Sequence, residues 1–106
     1  MNPTSDVIVL IPSLHPDSKL VAYVQDLIYS GFKDILVVDD GSGPAYSIIF
    51  DQIRNIPQCT VLSYEVNKGK GHALKVGMEW VLTNKPQAKG VVTADSDGQH
   101  TTEDCI

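Results

Sequence analysis

Short runs of unbroken apolar, β-branched residues alternate along this chain with amphipathic stretches of helix length. Val7-Ile8-Val9-Leu10-Ile11 and Ile35-Leu36-Val37-Val38 carry no polar residue on either face. A strand of that kind must be covered on both sides, as in a parallel sheet. Thr60-Val61-Leu62-Ser63-Tyr64 reads as a third strand with weaker patterning, and Gly90-Val91-Val92-Thr93 as a fourth. Leu20, Val24, Leu27 and Ile28 share one helical face; Tyr46, Ile49, Phe50 and Ile53 share another. Leu74, Gly77, Met78, Val81 and Leu82 form the clearest helical stripe. Pro12 is expected to end the first strand, since proline cannot donate to the ladder. Gly31 fits a helix C-terminus. The order β-α-β-α-β-α-β predicts an α/β fold, a three-layer α/β/α arrangement with a mostly parallel sheet. Right-handed crossovers then bring the strand carboxyl ends to one rim.

Length and charge narrow the function. With 106 residues the chain suits one domain, and its formal net charge of -5 argues against the broad basic footprint of a nucleic-acid binder. Cys59 and Cys105 form no C-x-x-C, which fits reduced thiols in a cytoplasmic protein. The N-terminus lacks a signal-peptide pattern, and no apolar run approaches the ~20 residues needed to span a bilayer. The expected location is the cytoplasm, or the cytoplasmic face of a membrane in a full-length protein. Thr101-Thr102-Glu103-Asp104 reads as a helix start just before the chain stops at Ile106. Residues 1–106 are therefore expected to be the front part of a larger domain, cut after its acidic motif.

Three loops should meet on the carboxyl rim, where open α/β sheets bind ligands. One holds Pro12 and Ser13, the second Asp39 and Asp40, the third Asp95 and Asp97. Gathered carboxylates repel one another, so a cation or a hydrogen-bonding ligand is expected between them. Asp95 and Asp97 suit Mg²⁺ or Mn²⁺, ions that take oxygen ligands and complete their shell with phosphates. An acidic turn that merely caps the strand has the same sequence. Gln99 is placed to orient a ligand or water, or is a solvated turn residue. Asp40 is placed to accept hydrogen bonds from a base or ribose, and Asp39 to cap the turn. Asn67-Lys68-Gly69-Lys70-Gly71 can offer amides and an ammonium to phosphate at a helix N-terminus. It is not a P-loop, because no Ser or Thr follows Lys70 and the glycine spacing fails. The acidic run is not an EF-hand, His15, His72 and His100 lack metal-ligand spacing, and no G-x-S-x-G elbow is present.

Taken together, Ile8-Val9-Leu10-Ile11-Pro12, Ile35-Leu36-Val37-Val38-Asp39-Asp40-Gly41-Ser42, Asn67-Lys68-Gly69-Lys70-Gly71-His72-Ala73-Leu74 and Asp95-Ser96-Asp97-Gly98-Gln99-His100 resemble the start of a family 2 glycosyltransferase of the GT-A fold. The last two are most similar to the polyprenyl- or dolichyl-phosphate sugar synthase branch. The resemblance implies a UDP- or GDP-linked sugar donor and a divalent metal, Mg²⁺ or Mn²⁺. It implies that Pro12, Ser13 and Asp40 hold the nucleoside, and that Gly69 and Lys70 border the nucleotide. Asp95 and Asp97 meet metal and diphosphate, with Gln99 a further ligand. Many relatives follow the first-strand proline with an aromatic and then Asn-Glu; here the sequence is Leu14-His15-Pro16-Asp17. No catalytic base is identifiable, and a lipid-linked phosphate acceptor would need none. The expectation is that these residues bind nucleotide without transferring sugar.

A non-catalytic nucleotide-binding or assembly module is the alternative, and a sheet edge left exposed would favour homo-oligomers. A receiver-like domain lacks its phosphoacceptor, since Tyr64-Glu65 stands at that position. A sugar nucleotidyltransferase would carry a basic glycine-rich loop where Pro12-Ser13-Leu14-His15 stands.

Overall fold

The structure is a computed structural model and describes residues 7–94. Four strands and three helices alternate: β1 (Val7–Ser13), α1 (Ser18–Tyr29), β2 (Asp34–Asp40), α2 (Ser47–Arg54), β3 (Cys59–Tyr64), α3 (Lys70–Asn84) and β4 (Gly90–Thr93). A single 3-10 turn at Pro44–Tyr46 leads into α2. All strand pairs are parallel, in the order β3-β2-β1-β4. The unbroken apolar runs thus become the two central strands, covered on both faces as their composition demands.

Alternation along each strand divides the core. Val9, Ile11, Ile35 and Val37 face α1 and α2, meeting Leu20, Val24, Leu27, Phe50 and Ile53. Ile8, Leu10, Leu36 and Val38 face α3, meeting Ala73 and Val81. Local chemistry sets the helix ends. Asp17 is the extended N-cap of α1, and its Oδ1 accepts from Lys19 N at 2.9 Å. Gly31, at φ 111°, closes the same helix: its N–H donates to Ile28 O at 3.0 Å, and Phe32 N to Leu27 O at 3.1 Å. That pair of bonds is a Schellman motif.

Two expectations are corrected. The first concerns α3. Leu82 is 70% exposed and Met78 40%, whereas Ala73, Gly77 and Val81 are buried. The buried face keeps Gly77 and Val81 from the expected stripe, with Leu74 packed at its edge, but is rotated toward Ala73 and away from Met78 and Leu82. Gly77 explains the rotation: a Cβ there would lie 2.4 Å from Leu10 Cδ1. The helix approaches the sheet so closely that small residues must line the contact. The second concerns β1, which runs through Pro12 to Ser13 rather than ending at the proline. Leu10 O accepts from Ala94 N at 3.0 Å, so the main-chain polar groups of Leu10, and of Pro12 two residues on, point toward β4. That strand ends at Thr93, opposite Leu10. The missing proline N–H therefore leaves no described ladder acceptor unmet.

Candidate functional site

Register sets the strand ends side by side. Ser13 lies opposite Asp39, and Asp40 opposite Tyr64, so three carboxyl ends form one rim. On the other side of β1, the chain leaves β4 at Ala94 toward this rim, one residue before Asp95. Asp95, Asp97 and Gln99 lie outside the described residues.

Asp39 is 8% exposed, and its Oδ1 accepts from Ser42 N at 2.9 Å. This is the turn cap read from the sequence. Ser42 Oγ in turn accepts from His15 N at 2.9 Å, tying the loop after β1 to the loop after β2. His15 adopts φ 51°, a left-handed conformation that is uncommon outside glycine, and its ring stacks on Tyr46 at 4.9 Å. The Ser42–His15 tie gives the unusual Leu14-His15-Pro16 loop a defined seat. Nothing local in the sequence announces that long-range bond.

Asp40 is 3% exposed and accepts three hydrogen bonds. Its Oδ1 takes Tyr64 Oη at 2.5 Å and Lys68 N at 2.9 Å; its Oδ2 takes Gly69 N at 3.0 Å. A desolvated carboxylate requires donors of this kind. The loop that supplies them is pinned by a second contact. Gly41 has φ 69°, and a Cβ there would sit 2.2 Å from Asn67 N. Only glycine fits both the conformation and the approach.

Gly69 is the N-cap of α3, with φ 97° and no side chain to cap the helix. The Asp40 carboxylate accordingly lies at this helix N-terminus, where negative charge is favoured. The sequence places phosphate against these amides; in the structure, Lys68 N–H is taken up by Asp40, and Gly69 N–H is shared between Asp40 Oδ2 and Asn67 Oδ1, the latter at 3.1 Å. The Lys68 and Lys70 side chains are exposed beside them. Burial, then the hydrogen bond to Asp40 and the charges of Asp40 and Asp39, push the Tyr64 hydroxyl well above the usual phenol range.

Ser13 is 2% exposed, and its Oγ has no hydrogen-bond partner among the described residues. Buried hydroxyls are rarely left so. Pro12 is buried beside it. Next along the rim, Asp39, Gly43, Pro44, Ser63, Tyr64 and Glu65 line a cleft of about 420 Å³. The described residues hold no group of three His, Cys, Asp or Glu able to bind a metal. Asp39 and Asp40 are engaged by protein donors, so they do not substitute for one.

An all-parallel sheet between helical layers, with polar loops gathered at its carboxyl rim, defines the Rossmann-like half of a GT-A fold. The chain belongs to glycosyl transferase family 2, whose sequence profile matches residues 9–106. It is similar to the uncharacterized protein MJ1222 of Methanocaldococcus jannaschii, at 32% identity over 99 residues; the match covers 93% of this chain and 38% of that protein. Among solved structures it resembles TarS residues 1–349 from S. aureus, with a TM-score of 0.56 and 26% identity, covering 86% of this chain and 27% of that one. The chain thus spans well under half the length of either relative. Among the described residues, no helix is long and apolar enough to cross a membrane.

Proposed function

We propose that this chain is the donor-binding part of a glycosyltransferase that moves a sugar from a nucleoside-diphosphate donor, UDP- or GDP-linked, to an acceptor. The observation that carries the reading is the carboxyl rim itself. There a buried hydroxyl without a partner, a buried carboxylate and an exposed basic loop lie together at the ends of parallel strands. Core packing requires none of these groups.

In this reading Ser13 hydrogen-bonds the nucleoside through its orphaned Oγ, with Pro12 as the apolar wall beside it. Asp40 accepts from the base or ribose. Gly69 borders the nucleotide through its bare Cα, since its N–H is taken by Asp40 and Asn67. Lys70 faces the diphosphate as a point charge. Asp95 and Asp97, with Gln99, hold Mg²⁺ or Mn²⁺. A divalent ion bound there supplies positive charge to the departing diphosphate. The acceptor attacks the anomeric carbon from the opposite face, with inversion. A lipid-linked phosphate would attack without a base, whereas a hydroxyl acceptor needs one that these residues do not offer.

Calorimetry with UDP, GDP and their sugars, with and without Mn²⁺, tests the reading on the protein and on Asp97→Ala. The expected result is metal-dependent binding of one nucleotide, largely lost in the variant. Equal binding in the presence of chelator would refute the metal site. Sugar transfer by these 106 residues alone would overturn the division between donor binding here and acceptor chemistry elsewhere.

A further inference from the structure

Asp40 presents a conflict that the donor-binding reading leaves open. A carboxylate has about four acceptor positions, and here three are filled by protein donors while the residue is 3% exposed. The one position left is shielded by the protein around this buried side chain, so a nucleoside reaches Asp40 by displacing a donor that can move.

Two of the three are fixed. Lys68 N and Gly69 N belong to a backbone held against Gly41, where even a methyl group would meet Asn67 N at 2.2 Å. Gly69 also starts α3, which is locked to the sheet by Gly77 against Leu10. The third donor is a side chain. Tyr64 ends β3, which lies at one margin of the four-stranded sheet, and the residue is half-buried. Its ring meets His72 edge-on at 5.4 Å and borders the cleft of about 420 Å³ next to the rim. Tyr64 is the donor with somewhere to go.

We infer that the Tyr64 hydroxyl is a placeholder for the nucleoside: it satisfies Asp40 until donor binds, and then yields Oδ1 to a base N–H or ribose O–H. Tyr64 thereby sets nucleotide affinity without contributing a favourable contact to the ligand. No covalent step is involved; one hydrogen-bond donor replaces another. The inference rests on the donor-binding reading. It differs from a positioning role in sign, because a residue that merely oriented Asp40 would weaken binding when removed.

The test is calorimetry with UDP and with GDP, each with Mn²⁺, on the protein and on Tyr64→Phe. Phenylalanine keeps the ring against His72 and leaves Asp40 with a vacant acceptor position that the ligand can fill. Binding about tenfold tighter than in the parent is expected, the scale of one hydrogen bond to a charged group. Uniform 3-fluorotyrosine labelling supplies a second arm that needs no mutation. The more acidic phenol donates more strongly to Asp40, so labelled parent protein should bind several-fold more weakly. That arm decides the matter if Tyr64→Phe does not fold. Unchanged or weaker binding by Tyr64→Phe, or indifference to fluorination, overturns the placeholder while leaving donor binding intact. Failure of the parent to bind either nucleotide overturns both.

Discussion

The two rims of the sheet treat charge in opposite ways. At the amino rim, Asp34 and Lys85 pair at 3.4 Å with side chains 40% and 42% exposed. They border a cleft of about 360 Å³ lined also by Asn84, Pro86 and Gln87. At the carboxyl rim, Asp39 and Asp40 are 8% and 3% exposed and are met by backbone amides and a phenol instead of a cation. The first arrangement leaves charge in water, where a pair contributes little. The second removes carboxylates from water and needs glycines at 41 and 69 to deliver donors to them. A chain carries such an arrangement where a ligand is to be met by fixed polar groups.

The contrast can be broken most forcefully at Gly41. Gly41→Val combines a left-handed φ with a clash against Asn67 N, and should cost about 3 to 5 kcal/mol in denaturant unfolding. A variant as stable as the parent would mean that the basic loop does not dock on β2. Next come the two aspartates compared directly. Asp40→Ala strands three part-buried donors and should lose about 2 kcal/mol, whereas Asp34→Ala should lose no more than about 0.5. Equal losses would erase the distinction between the rims.

Alkaline pH separates the rims in a third way. Burial pushes the Cys59 thiol, at the start of β3, from 9.0 up to about 11, and Tyr64 at its end is raised further. Both groups hold their proton more tightly folded than unfolded. Their contribution is therefore complete below the unfolded pKa values, 9.0 for the thiol and 10.0 for the phenol, and is lost as pH rises through the folded ones. Urea midpoints should fall from pH 9 upward. Cys59→Ala should flatten the early part of that fall and Tyr64→Phe the later part. A midpoint that rises with pH would reverse the assigned sign. The smallest effect belongs to Ser13. With no internal partner to lose, Ser13→Ala should keep stability within about 0.5 kcal/mol while nucleotide affinity drops several-fold. A stability loss above 1 kcal/mol would reveal a partner for its hydroxyl.

Much of the scaffold was legible because the relevant signals are local. Unbroken apolar runs marked the strands, Gly31 the end of α1, and Asp39 the cap of its own turn. Features set by distant residues were not legible. Hydropathy assigns Met78 and Leu82 to the core, but the line of contact is decided by the fit of Gly77 against Leu10. Asp39 and Asp40 read as loop residues after the second strand, yet both lie in β2, whose alternation sends the two side chains to opposite faces. Asp40 meets amides 28 and 29 residues away. The Ser42 tie to His15 spans 27 residues and has no motif. Asp95, Asp97 and Gln99 rest on sequence and family resemblance, since they fall outside the described residues.

The rims can be compared in one spectrum by following backbone amide resonances as UDP or GDP is added with Mg²⁺. The expected result is that Ser13, Gly41, Ser42 and Gly69 shift together and saturably, while Asp34, Lys85 and Ala88 stay in place. Saturable shifts confined to the amino rim, or no shifts with either nucleotide, would contradict a donor site at the carboxyl ends of the strands.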